Sequence, residues 1–130
     1  MSIINESAHV KILEDPFGSR AFEVQDVVSD GRHRLVLTGE LDLGPAAELE
    51  AMLLRLCADG TKEITLDLSK LTFMGSTGLR TVLLAKELCA QHGCEFLLIA
   101  GPKNIQRMFE LTGLIDALPF QAQDPSVVPR

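Results

Sequence analysis

The chain has 130 residues and a formal net charge of −6, with 46% hydrophobic residues and neither Trp nor Tyr. This length predicts a single domain with an aliphatic core, and the acidic balance argues against a nucleic-acid surface or binding to anionic membranes. The three cysteines form no C-x-x-C pair, and every apolar run is far shorter than the ~20 residues of a membrane span. We therefore expect a cytoplasmic protein with buried free thiols.

The first half of the chain predicts a hairpin followed by a helix. Residues 1–20 show no clear hydrophobic period, and we interpret them as an N-terminal tail or loosely attached segment. Alternating apolar residues predict strands at 22–28 and 34–38, separated by a turn signal. Pro45 suits the first position of a helix, and apolar residues at helical spacing carry that helix to residues 59–60.

The second half alternates strands with helices. The predicted elements are a buried strand at 64–68, a loop at 69–75, a helix from 76 to about 92, a strand at 95–100, a helix around 105–109, and residues compatible with a short edge strand at 117–120. We interpret residues 121–130 as a C-terminal tail. The alternation implies parallel strands joined by right-handed crossovers, with the helices on one face.

Two hydroxyls, Ser76 and Thr77, lie between Gly75 and Gly78 at the predicted start of a helix. A first helical turn has unpaired N–H groups and carries the positive end of the helix dipole. From the residues alone, Ser76 is interpreted as the helix N-cap, and Thr77 as a first-turn residue with no further role.

An enzyme is not predicted. The nucleophile elbow needs Gly two residues before the Ser, whereas Gly75 directly precedes Ser76. His92 would lie at the far end of the same helix, roughly 22 Å from Thr77 at 1.5 Å per residue. The chain has no phosphate-binding loop motif and no His/Cys spacing typical of a metal site, so we expect no cofactor and no metal.

Asp42 belongs to a second loop that leads from a predicted strand into a helix. If the strands before the two loops run parallel, both loops emerge at one edge of the sheet, where the ligand sites of α/β folds gather. We therefore expect Asp42 near Ser76 and Thr77. The alternative, for Asp42 as for Glu40, is an ordinary solvated loop carboxylate.

Two motifs at this spacing resemble the STAS domain family, specifically its stand-alone anti-sigma factor antagonists. Residues 67–79 (DLSKLTFMGSTGL) are similar to the family's motif of a strand followed by a small residue, two hydroxyls, Gly and Leu. Residues 39–43 (GELDL) resemble its Gly-Glu-Leu-Asp turn before the first helix. The resemblance covers roughly residues 22–120, with one departure: the family usually has Asp where this chain has Gly75.

The resemblance implies an α/β fold: a single small STAS-like domain at residues 21–120, with a mixed β-sheet and helices packed on one face. It also implies that the unmodified protein binds an anti-sigma factor that is itself an ATP-using serine/threonine kinase. That kinase would phosphorylate Thr77, the hydroxyl immediately before Gly78, with Ser76 as second choice, and a phosphatase would reset the protein. The implied partner-binding residues are Glu40, Asp42, Met74, Gly75, Ser76, Thr77, Gly78 and Arg80.

One alternative remains open at this level. A lone STAS domain can serve as an accessory subunit of a lipid or anion transporter, docking through the same helix without phosphorylation, and Gly75 is compatible with that role. Phe73 and Met74 are equally compatible with the core and with an exposed contact. No direct nucleic-acid contact and no membrane insertion are expected under either interpretation.

Overall fold

A mixed five-stranded β-sheet and three α-helices form the part of the chain that the computed structural model describes, residues 6–14 and 21–121, with side chains from Phe22 onward. The elements are β1 (Glu6–Glu14), β2 (Ala21–Ser29), β3 (Arg32–Leu41), α1 (Leu43–Ala58), β4 (Glu63–Met74), α2 (Ser76–Gln91), β5 (Glu95–Ile99) and α3 (Lys103–Leu111).

The strands lie in the sheet in chain order. β1, β2 and β3 form an antiparallel meander, and β3, β4 and β5 are parallel, joined by α1 and α2. The β2–β3 turn places Asp30 and Gly31 at φ 58° and 79°. A two-residue hairpin loop of type I′ needs positive φ at both positions, and Asp-Gly tolerates it. The predicted mixed sheet is confirmed.

The core lies on one face of the sheet because alternate side chains of each strand point the same way. Leu35, Leu66 and Leu98 are paired across β3, β4 and β5, and all three are fully buried. The helices contribute their apolar residues to the same cluster, among them Leu53 of α1 and Phe109 of α3. The helices therefore pack on one face, as predicted.

β1 was not predicted as a strand. Its backbone pairs with β2 along its whole length, from Glu6 opposite Ser29 to Glu14 opposite Ala21. The signal that could have indicated it is a short alternation of apolar residues at positions 8, 10 and 12, placed between polar residues and an Asp-Pro step. β1 thus extends the sheet before the predicted boundary at residue 21. Where the domain begins stays a prediction, and residues 1–5, 15–20 and 122–130 of the interpreted tails lie outside the described part.

β4 includes residues 69–74 of the predicted loop at 69–75 and ends at Met74. Its pairing with β3 shifts register twice, between Val36 and Thr38 and between Gly39 and Glu40. At the first irregularity the Asp67 carboxylate accepts hydrogen bonds from the Ser69 N–H (2.9 Å) and hydroxyl (2.6 Å), a contact typical of turns. These bulges break the alternation on which the strand prediction depended.

Smaller differences concern the ends of elements. α1 begins at Leu43 with Asp42 as its N-cap, so Pro45 is the third helical residue and not the first. The predicted edge strand at 117–120 is reduced to a single bridge between Leu98 and Phe120. Gly60 and Gly113 follow α1 and α3 at φ 81° and 76°, the left-handed conformation in which glycine commonly ends a helix.

Candidate functional site

The N-termini of α1 and α2 lie side by side because β3 and β4 are parallel and end at the same edge of the sheet. Leu41 pairs with Met74 as the last residues of the two strands, and the Gly75 N–H donates to the Leu41 carbonyl at 3.2 Å. Asp42 directly follows β3, and Gly75 directly follows β4. The predicted proximity of the Asp42 loop to the turn is confirmed.

The backbone at Gly75 has a φ of −86°, which suits any residue, so only the neighbouring side chains limit the space at this position. A Cβ at Gly75 would lie 2.9 Å from Oδ1 of Asp42 and 3.5 Å from a ring carbon of Phe73. The carboxylate of Asp42 thus occupies the space that a side chain at position 75 would need. In this chain the carboxylate at the turn comes from the β3–α1 loop.

Gly78 brings the first turn of α2 against the end of β3. A Cβ at Gly78 would lie 2.6 Å from Cγ of Met74 and 2.7 Å from the backbone oxygen of Leu41. Met74 is only 3% exposed, whereas the neighbouring Phe73 is 44% exposed. The structure therefore places Met74 in the core beneath the turn and Phe73 at the surface.

The two hydroxyl residues differ in their surroundings. Ser76 is exposed and is the first residue of α2; Thr77 is half-buried. The prediction that Ser76 caps the helix is wrong, because Gly75 holds the extended N-cap conformation and Ser76 is already helical. Gly75 has no side chain to offer, so the first N–H groups of α2 receive no side-chain cap.

Thr81 supports this turn from inside, a role that the sequence did not reveal. Its side chain is fully buried, and its hydroxyl lies 2.9 Å from Oε2 of Glu50 on α1 and 3.0 Å from the carbonyl oxygen of Thr77. Thr77 and Thr81 are four residues apart on α2, so helical spacing could have indicated their contact from the sequence. The contact with Glu50 depends on how α1 and α2 pack.

The surface around the turn combines apolar and charged groups. Leu43 is 73% exposed next to Asp42, Phe73 is 44% exposed beside Gly75, and Arg80 is exposed one turn along α2. We call the group the turn surface; its members are Asp42, Leu43, Phe73, Ser76, Thr77 and Arg80. Glu40 lies at its edge, half-buried and paired with Phe73 in the β3–β4 ladder.

Both histidines with described side chains lie away from this turn: His33 pairs with Ile64 near the start of β4, and His92 is the C-cap of α2. Nδ1 of His33 lies 2.9 Å from the Asp26 carboxylate, and Nδ1 of His92 lies 2.9 Å from the Leu88 carbonyl oxygen. Among the described residues, no His, Cys, Asp and Glu side chains are grouped to hold a metal ion. No helix in the same part of the chain is long and apolar enough to cross a membrane.

Comparison with known proteins agrees with this geometry. The STAS domain model matches residues 24–123. The anti-sigma-B factor antagonist of Staphylococcus aureus (strain NCTC 8325 / PS 47) is 30% identical over 95 residues, which cover 73% of this chain and 88% of that protein.

Solved structures show the same architecture. An anti-sigma factor antagonist from Mycobacterium paratuberculosis is 26% identical, with a TM-score of 0.69 over 78% of this chain and 86% of that one. The phosphorylated form of the Bacillus cell fate determinant SpoIIAA is 20% identical, with a TM-score of 0.62 over 81% of this chain and 95% of that one, and shows the fold alone. The family match includes both loops of the turn surface, and the chain belongs to the STAS domain family.

Proposed function

We propose that the chain is an anti-sigma factor antagonist whose binding to an anti-sigma factor is controlled by phosphorylation of Thr77. The observation that carries the proposal is the position of Thr77, half-buried in the first turn of α2 between Gly75 and Gly78, at the edge of the sheet where Leu43 and Phe73 are exposed. The curated relatives that bear the name anti-sigma-B factor antagonist support it.

A phosphate on Thr77 would act through the turn surface. It adds about −1.5 to −2 charges. The surface already holds the Asp42 carboxylate, and its exposed apolar groups, Leu43 and Phe73, are of the kind that a partner covers. Placing a doubly charged group in a contact that must lose its water weakens binding strongly, because charges buried without partners cost several kcal/mol.

Thr77 is preferred over Ser76 for two reasons. It directly precedes Gly78, the position that the family motif assigns to the phosphorylated hydroxyl. Its backbone carbonyl is also held by the buried Thr81 hydroxyl at 3.0 Å, so the turn presents Thr77 in a fixed place. Ser76 is more exposed but has no such anchor among the contacts of the turn.

The proposal includes the partners and the setting. The anti-sigma factor would be an ATP-using serine/threonine kinase that binds the unmodified chain and phosphorylates it, and a phosphatase would reverse the modification. The chain itself would act in the cytoplasm as a binding module without catalysis, cofactor, nucleic-acid contact or membrane insertion. Glu40, Asp42, Gly75, Ser76 and Arg80 would contribute to the contact, and Met74 and Gly78 would support it from below.

Phosphorylation tests the proposal directly. The purified chain is incubated with Mg²⁺, ATP and the kinase-type anti-sigma factors of the same organism, and the modified residue is located by mass spectrometry. Thr77→Ala should abolish the modification and Ser76→Ala, the matched control in the same turn, should retain it. Phosphorylated wild type should no longer bind the kinase. Modification that survives Thr77→Ala would overturn the assignment.

Gly75 keeps a second candidate function open. The family usually has Asp at this position, and a chain that departs from the motif there is compatible with docking onto a lipid or anion transporter without phosphorylation. In that case affinity capture would recover a transporter, and Thr77→Glu would leave its binding unchanged. Under the first proposal Thr77→Glu weakens binding to the anti-sigma factor.

A further inference from the structure

The three cysteines converge at the end of the domain away from the turn surface. Cys57 lies in the last turn of α1, Cys89 in the last turn of α2, and Cys94 just before β5. All are free and buried, with 3%, 1% and 7% of their surface exposed. Cys89 is roughly 20 Å along α2 from Ser76 at 1.5 Å per residue. The proposed binding function leaves these thiols without a role.

The C-terminus of α2 brings two of the thiols together. His92 is the C-cap, Gly93 follows at φ 67°, and the Cys94 N–H donates to the Cys89 carbonyl at 2.9 Å. This is the hydrogen bond of a Schellman motif, in which the side chains of these two positions pack against each other. Here both side chains are thiols, and they lie close enough to shift each other's pKa, while the Cys94 S–H donates to the Glu95 carbonyl at 3.5 Å.

The surroundings give the two thiols different properties. Burial raises the pKa of Cys89, and the neighbouring Cys94 and Cys57 raise it further. Burial also raises the pKa of Cys94, and the neighbouring Cys89 thiol offsets only part of this rise. Cys94 is therefore the better placed of the pair to form a thiolate, which is the nucleophilic form.

Cys94 is also the thiol of the three that lines a groove, although only 7% of its surface is exposed. The groove, of about 450 Å³, lies between α2 and residues 116–119, and Lys86, Phe96 and Asp116 also line it. Cys89 is more deeply buried than Cys94, and neither it nor Cys57 lines this groove. A thiol that lines a groove, with a second thiol held beside it by the Schellman motif, is the arrangement that a two-step exchange with a disulfide requires.

We propose that Cys94 and Cys89 form a modification site for small-molecule disulfides, with Cys94 as the attacking thiol and Cys89 as the resolving thiol. The Cys94 thiolate attacks one sulfur of R–S–S–R, forming a mixed disulfide and releasing one RS⁻. The Cys89 thiolate then attacks the Cys94 sulfur, forming the Cys89–Cys94 disulfide and releasing the second RS⁻. The two protons lost by the cysteines convert both leaving groups to RSH. The protein is oxidised by two electrons and the small disulfide is reduced.

The test uses the full chain and 2-hydroxyethyl disulfide, a small uncharged probe. Intact mass should fall by two hydrogens per monomer, and peptide mapping should place the bond between Cys89 and Cys94. Cys89→Ser should stop at the mixed disulfide on Cys94, and Cys94→Ser should leave Cys89 unmodified. Cys57→Ser, the matched control in the same cluster, should still form the Cys89–Cys94 bond.

The wild-type mapping decides the proposal even if a variant folds poorly. A disulfide that includes Cys57, or a first modification at Cys89, would overturn it. So would reaction of all three thiols at the rate of global unfolding, measured in parallel by circular dichroism, because the groove would then give Cys94 no advantage.

Discussion

Gly75→Asp tests whether the Asp42 carboxylate already occupies the place of a side chain at this turn. The backbone at position 75 accepts Asp without strain, but the new Cβ would lie 2.9 Å from Oδ1 of Asp42, so that side chain must rotate. With the two carboxylates ~5 Å apart and exposed to water, their repulsion is about 1 kcal/mol. Asp is a better N-cap than Gly by only a few tenths of a kcal/mol. We expect Gly75→Asp to lower the free energy of unfolding.

A double-mutant cycle with Asp42→Asn isolates the repulsion. Asp42 makes no side-chain cap hydrogen bond to α1, so the Asn variant removes the charge without removing a cap. Urea unfolding of the four proteins at low salt should give an unfavourable coupling of about 1 kcal/mol between the two carboxylates. In 1 M salt, where the Debye length is about 3 Å, the coupling should shrink towards zero.

Gly75→Asn is the uncharged control of the same size. If Asn at position 75 destabilises the domain as much as Asp does, the cost is steric and the electrostatic explanation is wrong. A coupling near zero at low salt would mean that the two side chains avoid each other completely, which would refute the contact between Asp42 and position 75.

Three further changes test the turn. Gly78→Ala should lower the free energy of unfolding, measured by urea denaturation, by about 1–2 kcal/mol. The added methyl group overpacks against Met74 and the Leu41 carbonyl, and this cost outweighs the gain in helix propensity. Ser76→Ala, at an exposed position in the same turn, should change the free energy of unfolding little. Thr81→Val should cost about 1–2 kcal/mol through the lost buried hydrogen bonds, and Thr81→Ser should restore most of it. Phosphorylation at Thr77 should leave amide hydrogen-exchange protection of β4 and α2 nearly unchanged; broad loss of protection would contradict a switch confined to the surface.

The architecture could be predicted because its signals are local. The Asp-Gly turn, the strand at 64–68 and the glycines after α1 and α3 each act through their own backbone geometry, and the structure has these elements close to where the sequence placed them. The proximity of the Asp42 loop to the turn could be predicted from the topology. Parallel β3 and β4 end at the same edge of the sheet, so Asp42 lies next to Gly75.

The parts that were missed depend on contacts between distant residues. β4 continues beyond Leu68 because register shifts let it stay paired with β3. The hydrophobic alternation of the sequence does not reveal such shifts. The importance of Thr81 arises from Glu50 on another helix. The sequence predicted three buried free cysteines, but the contact between Cys89 and Cys94 needs the C-cap geometry that Gly93 provides.

The energetics of the turn indicate where the proposed phosphate would act. In the first turn of α2 it would gain roughly 0.3–1 kcal/mol from the helix dipole, and repulsion from Asp42 would oppose it by a similar amount. Neither contribution approaches the ~5–15 kcal/mol that holds a domain folded. The Thr81 contacts that fix the turn lie on its inner side, away from the exposed turn surface. A charge that leaves the fold nearly unaffected still weakens an interface strongly, because a partner covering Leu43 and Phe73 must remove water from the phosphate. Control at this site therefore requires an interface, and the fold only has to hold Thr77 in place.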